Sequence, residues 1–273
     1  MDFNLKLDNI INKNNSLLCV GLDTRIDKIP KNLAKEKDGI IKFNREIIDA
    51  TKDIICAYKP NIAFYEGMGK EGMNILEKTL EYIQKDIVII LDAKRGDIGY
   101  TSEMYAKAVF DEFKADAITV NPYLGIDALQ PFIERPDKGA FVLCLTTNPG
   151  SKDFQKQIIL DNGKEKELYL YVAERFQAIN KNKNIGLVVG ATNPKEFTYV
   201  RETAKDMVFL VPGIGAQGGD LDTVVKTGLR EDKKGLIINL TREVIYASSE
   251  NNFAEIARNI SNSYKNRINS FRI

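Results

Sequence analysis

The stretch IVIILDAKRGDIGYTSEMYAKAVFDEFKADAITV, residues 87–120, decides the architecture. It opens on an unbroken apolar run, Ile87–Leu91, rich in β-branched residues. A charged segment follows, Asp92-Ala93-Lys94-Arg95-Gly96-Asp97. Apolar residues at helical spacing then occupy Ser102–Phe113, and a second apolar run, Ala117–Val120, closes the unit. A short run without polar alternation reads as a strand covered on both faces. Strand, helix, strand in this order implies a right-handed parallel crossover.

Outward from this unit the pattern repeats. Apolar runs stand at Leu17–Leu22, Ile54–Tyr58, Ile87–Leu91, Ala117–Val120, Ala140–Leu145, Ile185–Val189, Met207–Val211 and Leu236–Leu240. Helical spacing fills Lys42–Thr51, Gly72–Gln84, Leu168–Asn180, Pro194–Lys205, Asp220–Thr227 and Phe253–Tyr264 between and after them. Near-equal repeats of this kind predict an α/β protein, a closed (β/α)₈ TIM barrel in one domain over residues 1–273. An open doubly wound sheet is the alternative, but no Gly-x-Gly-x-x-Gly follows the first run. One irregularity follows the fifth run. Gln155–Leu160, Asp161-Asn162-Gly163 and Lys164–Tyr171 read as a β-hairpin with an Asn-Gly turn leading into a helix. It is an insertion at about 151–167, either a lid or a decorated surface loop.

Composition narrows the chemistry. The chain has 273 residues and a formal net charge of +1, with lysines scattered rather than clustered, so no nucleic-acid partner is expected. The first residues, Met1-Asp2-Phe3-Asn4-Leu5-Lys6, lack a charged-then-apolar leader, and no apolar run approaches a membrane span. Cys19, Cys56 and Cys144 sit in apolar runs without C-x-x-C spacing, as expected of buried free thiols in a reducing cytoplasm. There are no histidines. Ser-His-Asp and Cys-His machinery and histidine-ligated metals are therefore excluded.

Barrel enzymes build their sites where strands end. Here the first run ends at Asp23, the second at Lys59, the third at Asp92, Lys94 and Asp97, and the eighth at Thr241-Arg242. Asp92 and Lys94, two apart on an extended segment, are expected to point the same way. Four charges of alternating sign at one barrel mouth suggest a catalytic array; a surface salt-bridge cluster is the plainer reading. After the seventh run comes Pro212-Gly213-Ile214-Gly215-Ala216-Gln217-Gly218-Gly219, a loop rich in free N–H groups that leads into a helix. With Arg242 it predicts a phosphate site, and a plain turn is the alternative. This much points to a phosphorylated small molecule and a Lys–Asp array, without naming the reaction.

The segment Asp92-Ala93-Lys94-Arg95-Gly96-Asp97-Ile98-Gly99-Tyr100-Thr101 resembles the Asp-x-Lys-x-x-Asp-Ile-x-x-Thr signature of orotidine 5′-monophosphate decarboxylases, in the form of their longer bacterial subgroup. Gly21-Leu22-Asp23, Tyr58-Lys59-Pro60, Thr146-Thr147-Asn148-Pro149, Pro212–Asp220 and Arg242 fall in the same order as in that family. The resemblance implies conversion of orotidine 5′-monophosphate to UMP and CO₂, with no cofactor and no metal. By it, Lys94 donates a proton to C6, Asp92 faces the substrate carboxylate and Lys59 links the array to the ribose. Asp23 would bind a ribose hydroxyl and Thr147 the pyrimidine edge. Pro212, Gly213, Gly215, Gln217, Gly218 and Arg242 would hold the phosphate. Asp97, Ile98 and Thr101 would cross a homodimer interface into the partner's site. Rival readings are a Mg²⁺-dependent sugar-phosphate decarboxylase on a similar barrel, a Schiff-base aldolase using Lys59 or Lys94, and a non-catalytic phosphate-ligand binder.

Overall fold

The structure is a computed structural model that describes residues 1–215 and 218–272. Its strands, among the described residues, are β1 (Leu18–Gly21), β2 (Ala57–Lys59), β3 (Val88–Arg95), β4 (Ala117–Val120), β5 (Gly139–Leu145), β6 (Ile158–Asp161), β7 (Lys164–Glu167), β8 (Ile185–Val189), β9 (Val208–Val211) and β10 (Leu236–Leu240). All but β6 and β7 pair in parallel in chain order. Cys19 of β1 lies opposite both Ala57 of β2 and Asn239 of β10, so the sheet closes into an eight-stranded barrel. β1, β2, β4, β8, β9 and β10 are buried along their whole length. That is why their sequences show no alternation: helices cover one side and the barrel's own side chains fill the other.

Helices of eight residues or more are α1 (Phe3–Asn14), α2 (Gly39–Thr51), α3 (Gly69–Tyr82), α4 (Gly99–Lys107), α5 (Leu168–Ile179), α6 (Pro194–Thr203), α7 (Leu221–Gly228) and α8 (Phe253–Asn269). The sequence reading missed α1, although Phe3, Leu7, Ile10 and Ile11 stand at helical spacing and are buried. This helix closes the barrel at the strands' N-terminal end. The Phe3 ring meets Phe141 edge-on at 6.1 Å and fills the place a side chain on Gly139 would need. Lys6 donates to Asp116 at 2.6 Å, and Asp116 accepts the Ile89 N–H at 2.8 Å. The opposite end is left open for chemistry.

The hairpin forms as its sequence suggests. β6 and β7 are antiparallel, with Asp161 opposite Lys164 and the two-residue loop Asn162-Gly163 between them. Both loop residues have positive φ, 50° and 77°, the requirement of a type I′ turn. The base of the hairpin is fastened to the barrel mouth. Lys156 donates to Glu196 at 2.5 Å and to Asn193 at 3.2 Å, at the start of α6.

Candidate active site

The charge array forms at the C-terminal ends of β1 to β3. Lys59 is the last residue of β2, and its side chain is only 6% exposed. Its ammonium donates to Asp92 Oδ2 at 3.0 Å. Lys94 donates to the other oxygen, Oδ1, at 2.6 Å, from a side chain that is 48% exposed. Asp92 thus lies between a buried cation and one that reaches into the cleft. Burial alone would raise the Asp92 carboxyl, but Lys59 and Lys94 outweigh it and hold it well below the usual carboxylate range. Burial would likewise weaken the Lys59 ammonium, yet Asp23 and Asp92 raise its pKa above the ordinary lysine value. At Asp23 burial wins over Lys59 and pushes the carboxyl upward, although the Asn61 N–H donates to it at 3.0 Å.

Regular strand alternation does not bring Asp92 and Lys94 together as expected. The advance from Leu91 to Arg95 on β3 is matched on β4 only by that from Ile118 to Val120, so β3 bulges between them. Within the bulge Lys94 has φ 48°, in the left-handed region. Arg95 turns away to pair with Glu66 and lies over the Tyr105 ring at 5.1 Å. Asp97 is the second departure. Its carboxylate accepts the Ile98 N–H at 2.8 Å, and among the described residues it pairs with neither Lys59 nor Lys94. Within one chain the array therefore has three members at the strand ends, plus Asp23, rather than the four anticipated.

Two cavities meet at this array. The wider, about 920 Å³, is lined by Asp23, Lys59, Asp92, Pro212, Gly213 and Arg242 among others. The narrower, about 240 Å³, is lined by Lys59, Asp92, Lys94, Thr119, Thr147 and Pro212, over a floor that includes Leu143, Val188 and Leu210. Thr147 packs against Gly190, where a side chain would collide with its methyl group. The wide lobe is polar and cationic, with Arg25 and Lys28 adding to Arg242; the narrow lobe is flatter in chemistry and closed by aliphatic side chains.

The described part of the loop after β9 is built on glycine turns, and, against the expectation of free N–H groups, two of its N–H groups are bonded within the loop itself. Gly213, Gly215 and Gly218 have φ of 94°, 81° and 77°, conformations that suit only glycine in a turn this tight. Gly219 donates to Gly213 O at 3.0 Å and Gly218 to Gly215 O at 2.8 Å. Gln217 lies outside the described residues. The helix behind the loop plays a smaller part than expected. Asp220 caps α7 and accepts the Asp222 N–H at 3.1 Å, so the first free N–H groups of that helix already face a carboxylate. Arg242 lines the wide lobe together with Pro212 and Gly213 at the start of the loop.

Ile98 and Thr101 do not line either cavity; both are exposed, and so are Tyr100 and Met104 beside them. Sequence reasoning also overlooked several residues. Asn239 and Tyr246 line the wide lobe. The Tyr246 hydroxyl donates to Asp23 O at 3.0 Å and accepts the Arg25 N–H at 2.7 Å, joining the segment after β10 to the loop after β1. Gln155, at the base of the hairpin, accepts the Thr146 N–H at 2.8 Å and donates to its hydroxyl at 2.8 Å, one residue from Thr147. Thr119 and Asn239 carried a legible signal, a polar residue inside a wholly buried strand. Gln155 and Tyr246 carried none.

A sequence profile of the orotidine 5′-phosphate decarboxylase / HUMPS family matches residues 16–256. The chain is 47% identical over 252 residues to the orotidine 5′-phosphate decarboxylase of Herpetosiphon aurantiacus, covering 92% of each chain. It is 46% identical over 272 residues to that of Dehalococcoides mccartyi strain CBDB1, covering 100% of this chain and 99% of the relative. Among solved structures, Leishmania donovani OMP decarboxylase superposes with a TM-score of 0.86 at 39% identity, covering 100% of this chain and 99% of that one. The barrel, the charged strand ends and the match along almost the whole chain agree: the chain belongs to the orotidine 5′-phosphate decarboxylase / HUMPS family.

Proposed function

We propose that this chain is a carboxy-lyase of pyrimidine nucleotide synthesis that converts orotidine 5′-monophosphate to UMP and CO₂ at the cleft described above. The observation that carries this reading is Asp92 held between Lys59 and Lys94 where the two cavities join. The narrow lobe suits a flat pyrimidine with Thr147 at its edge. In the wide lobe Asp23 and Lys59 suit a ribose, and Pro212, Gly213 and Arg242 a phosphate, with Gly215 and Gly218 further along the same loop.

Breaking the bond from C6 to the carboxylate releases CO₂ and leaves an electron pair on a carbon that the ring cannot delocalise well. The Lys94 ammonium stabilises that localised charge and transfers its proton to C6, and the neutral amine regains a proton from water. Asp92 fixes Lys94 in place and repels the departing carboxylate, a contribution that ends as CO₂ leaves. Phosphate binding lies away from C6 and supplies energy for holding the substrate against the array. A Schiff-base role is disfavoured, because Lys59 is buried as an ammonium and Lys94 is tied to a carboxylate.

The active unit is a homodimer in this reading. Asp97, Ile98 and Thr101 reach the partner's cleft, which accounts for a family-signature segment whose large side chains Ile98 and Tyr100 are exposed in the single chain. The decisive test is to follow loss of orotidylate absorbance on adding protein treated with EDTA. Steady turnover supports the proposal. No loss of orotidylate absorbance, together with Mg²⁺-dependent CO₂ release from a sugar-acid phosphate, supports the sugar-phosphate decarboxylase reading, and UMP binding without CO₂ release from either substrate supports the binding protein.

A further inference from the structure

We propose that Thr119 is a positioning residue for the decarboxylation, its hydroxyl setting both the angle of Asp92 and the backbone from which Lys94 reaches the cleft. Thr119 sits on β4 in the run Ala117-Ile118-Thr119-Val120 and is 2% exposed. Its Oγ1 donates to Asp92 Oδ1 at 2.8 Å. The same oxygen accepts the Ala93 N–H at 3.0 Å and the Lys94 N–H at 2.9 Å. A hydroxyl has one donor and two acceptor sites, and here all three are used. The side chain therefore has a single orientation that satisfies every partner.

The arrangement compensates for the bulge. Between Leu91 and Arg95 the β3–β4 ladder is interrupted, so the Ala93 and Lys94 N–H groups lose strand partners. Thr119 takes both, and in doing so holds Lys94 at φ 48°, a conformation that residues other than glycine seldom adopt. Lys94 Nζ and Thr119 Oγ1 then converge on one oxygen of Asp92. Without the hydroxyl, backbone and carboxylate are free to relax toward regular strand geometry, and the ammonium moves away from the point where C6 is to lie.

The inference rests on Lys94 as proton donor. The test compares Thr119→Val, which keeps shape and removes the hydroxyl, with Thr119→Ser, which keeps the hydroxyl. The expected result for T119V is a kcat lowered about 100-fold, the scale of a misplaced reacting group, with UMP affinity in calorimetry reduced far less than kcat. T119S should recover most of the lost kcat. A residue that only supports the fold would instead lower thermal stability and weaken UMP binding along with kcat, and serine would not restore turnover selectively; that pattern overturns the proposal. Unchanged kcat in T119V overturns it too and leaves the decarboxylase reading intact, whereas an inactive parent protein overturns both. If the valine variant does not accumulate as folded protein, Thr119→Cys, whose thiol is a weak donor and acceptor, carries the same comparison.

Discussion

Two lysines hold the same carboxylate, and the structure assigns them different consequences on removal. Lys94→Ala takes away a cation whose side chain is 48% exposed, and Asp92 keeps Lys59 at 3.0 Å and the Thr119 hydroxyl at 2.8 Å. An ion pair this open contributes at most about 1 kcal/mol. For a chain of this length 1 kcal/mol corresponds to about 2 °C in Tm, so the melting temperature should fall by no more than ~2 °C. Lys59→Met removes a cation only 6% exposed that stands between Asp92 and Asp23. Two poorly solvated carboxylates are left with Lys94 alone. Breaking a buried pair on one side costs about 3–5 kcal/mol, which converts to ~6–10 °C. Turnover separates the variants in the other direction. Lys94→Ala should nearly abolish CO₂ release while UMP still binds, because the proton donor is gone and the nucleotide pocket is not. Differential scanning calorimetry and the orotidylate absorbance assay read both quantities on the same preparations. Equal Tm losses in the two variants would refute the assignment of one lysine to the interior and the other to the cleft. Substantial turnover by Lys94→Ala would refute the proton-transfer step.

Arg242→Ala should weaken UMP binding by about 1.5–3 kcal/mol, the range of a hydrogen bond to a charged group; an unchanged KM and UMP affinity would argue against phosphate at this end of the cleft. Asp92 has a folded-state pKa below its unfolded value of about 3.9. The stability it contributes is therefore fully present above that value and is lost as pH falls toward the lower, folded-state one. Asp92→Asn should accordingly flatten the decline of Tm below about pH 4, and an equally steep acid decline in the variant would count against the pairing. Subunit mixing tests the interface. If Asp97 serves the partner's site in a twofold dimer, equal amounts of Lys94→Ala and Asp97→Ala protein should regain roughly a quarter of parental activity after exchange, since half the dimers then hold one intact site. Activity no greater than that of the separate variants would place Asp97 in its own chain's site.

The local code of this chain was open to reading. Continuous apolar runs gave the strands because burial on both sides leaves no polar alternation, and Asn162-Gly163 gave the hairpin turn because only such residues accept positive φ twice in succession. The charges also declared themselves: Asp23, Lys59, Asp92, Lys94 and Arg242 lie at or just beyond strand ends, where a barrel gathers its chemistry. What sequence could not supply were relations between residues far apart in the chain. That Lys94 meets Asp92 through a bulge rather than by alternation depends on Thr119, which lies on the neighbouring strand. That Tyr246 fastens the loop bearing Asp23, and Gln155 the segment bearing Thr147, depends on side chains crossing between loops. Asp220 likewise takes the N-terminus of α7 that seemed open to phosphate. Periodicity and residue type are set by each segment's own burial and so are written locally. Which hydroxyl satisfies which orphaned N–H is settled only when closure of the barrel brings separate strands within hydrogen-bonding distance.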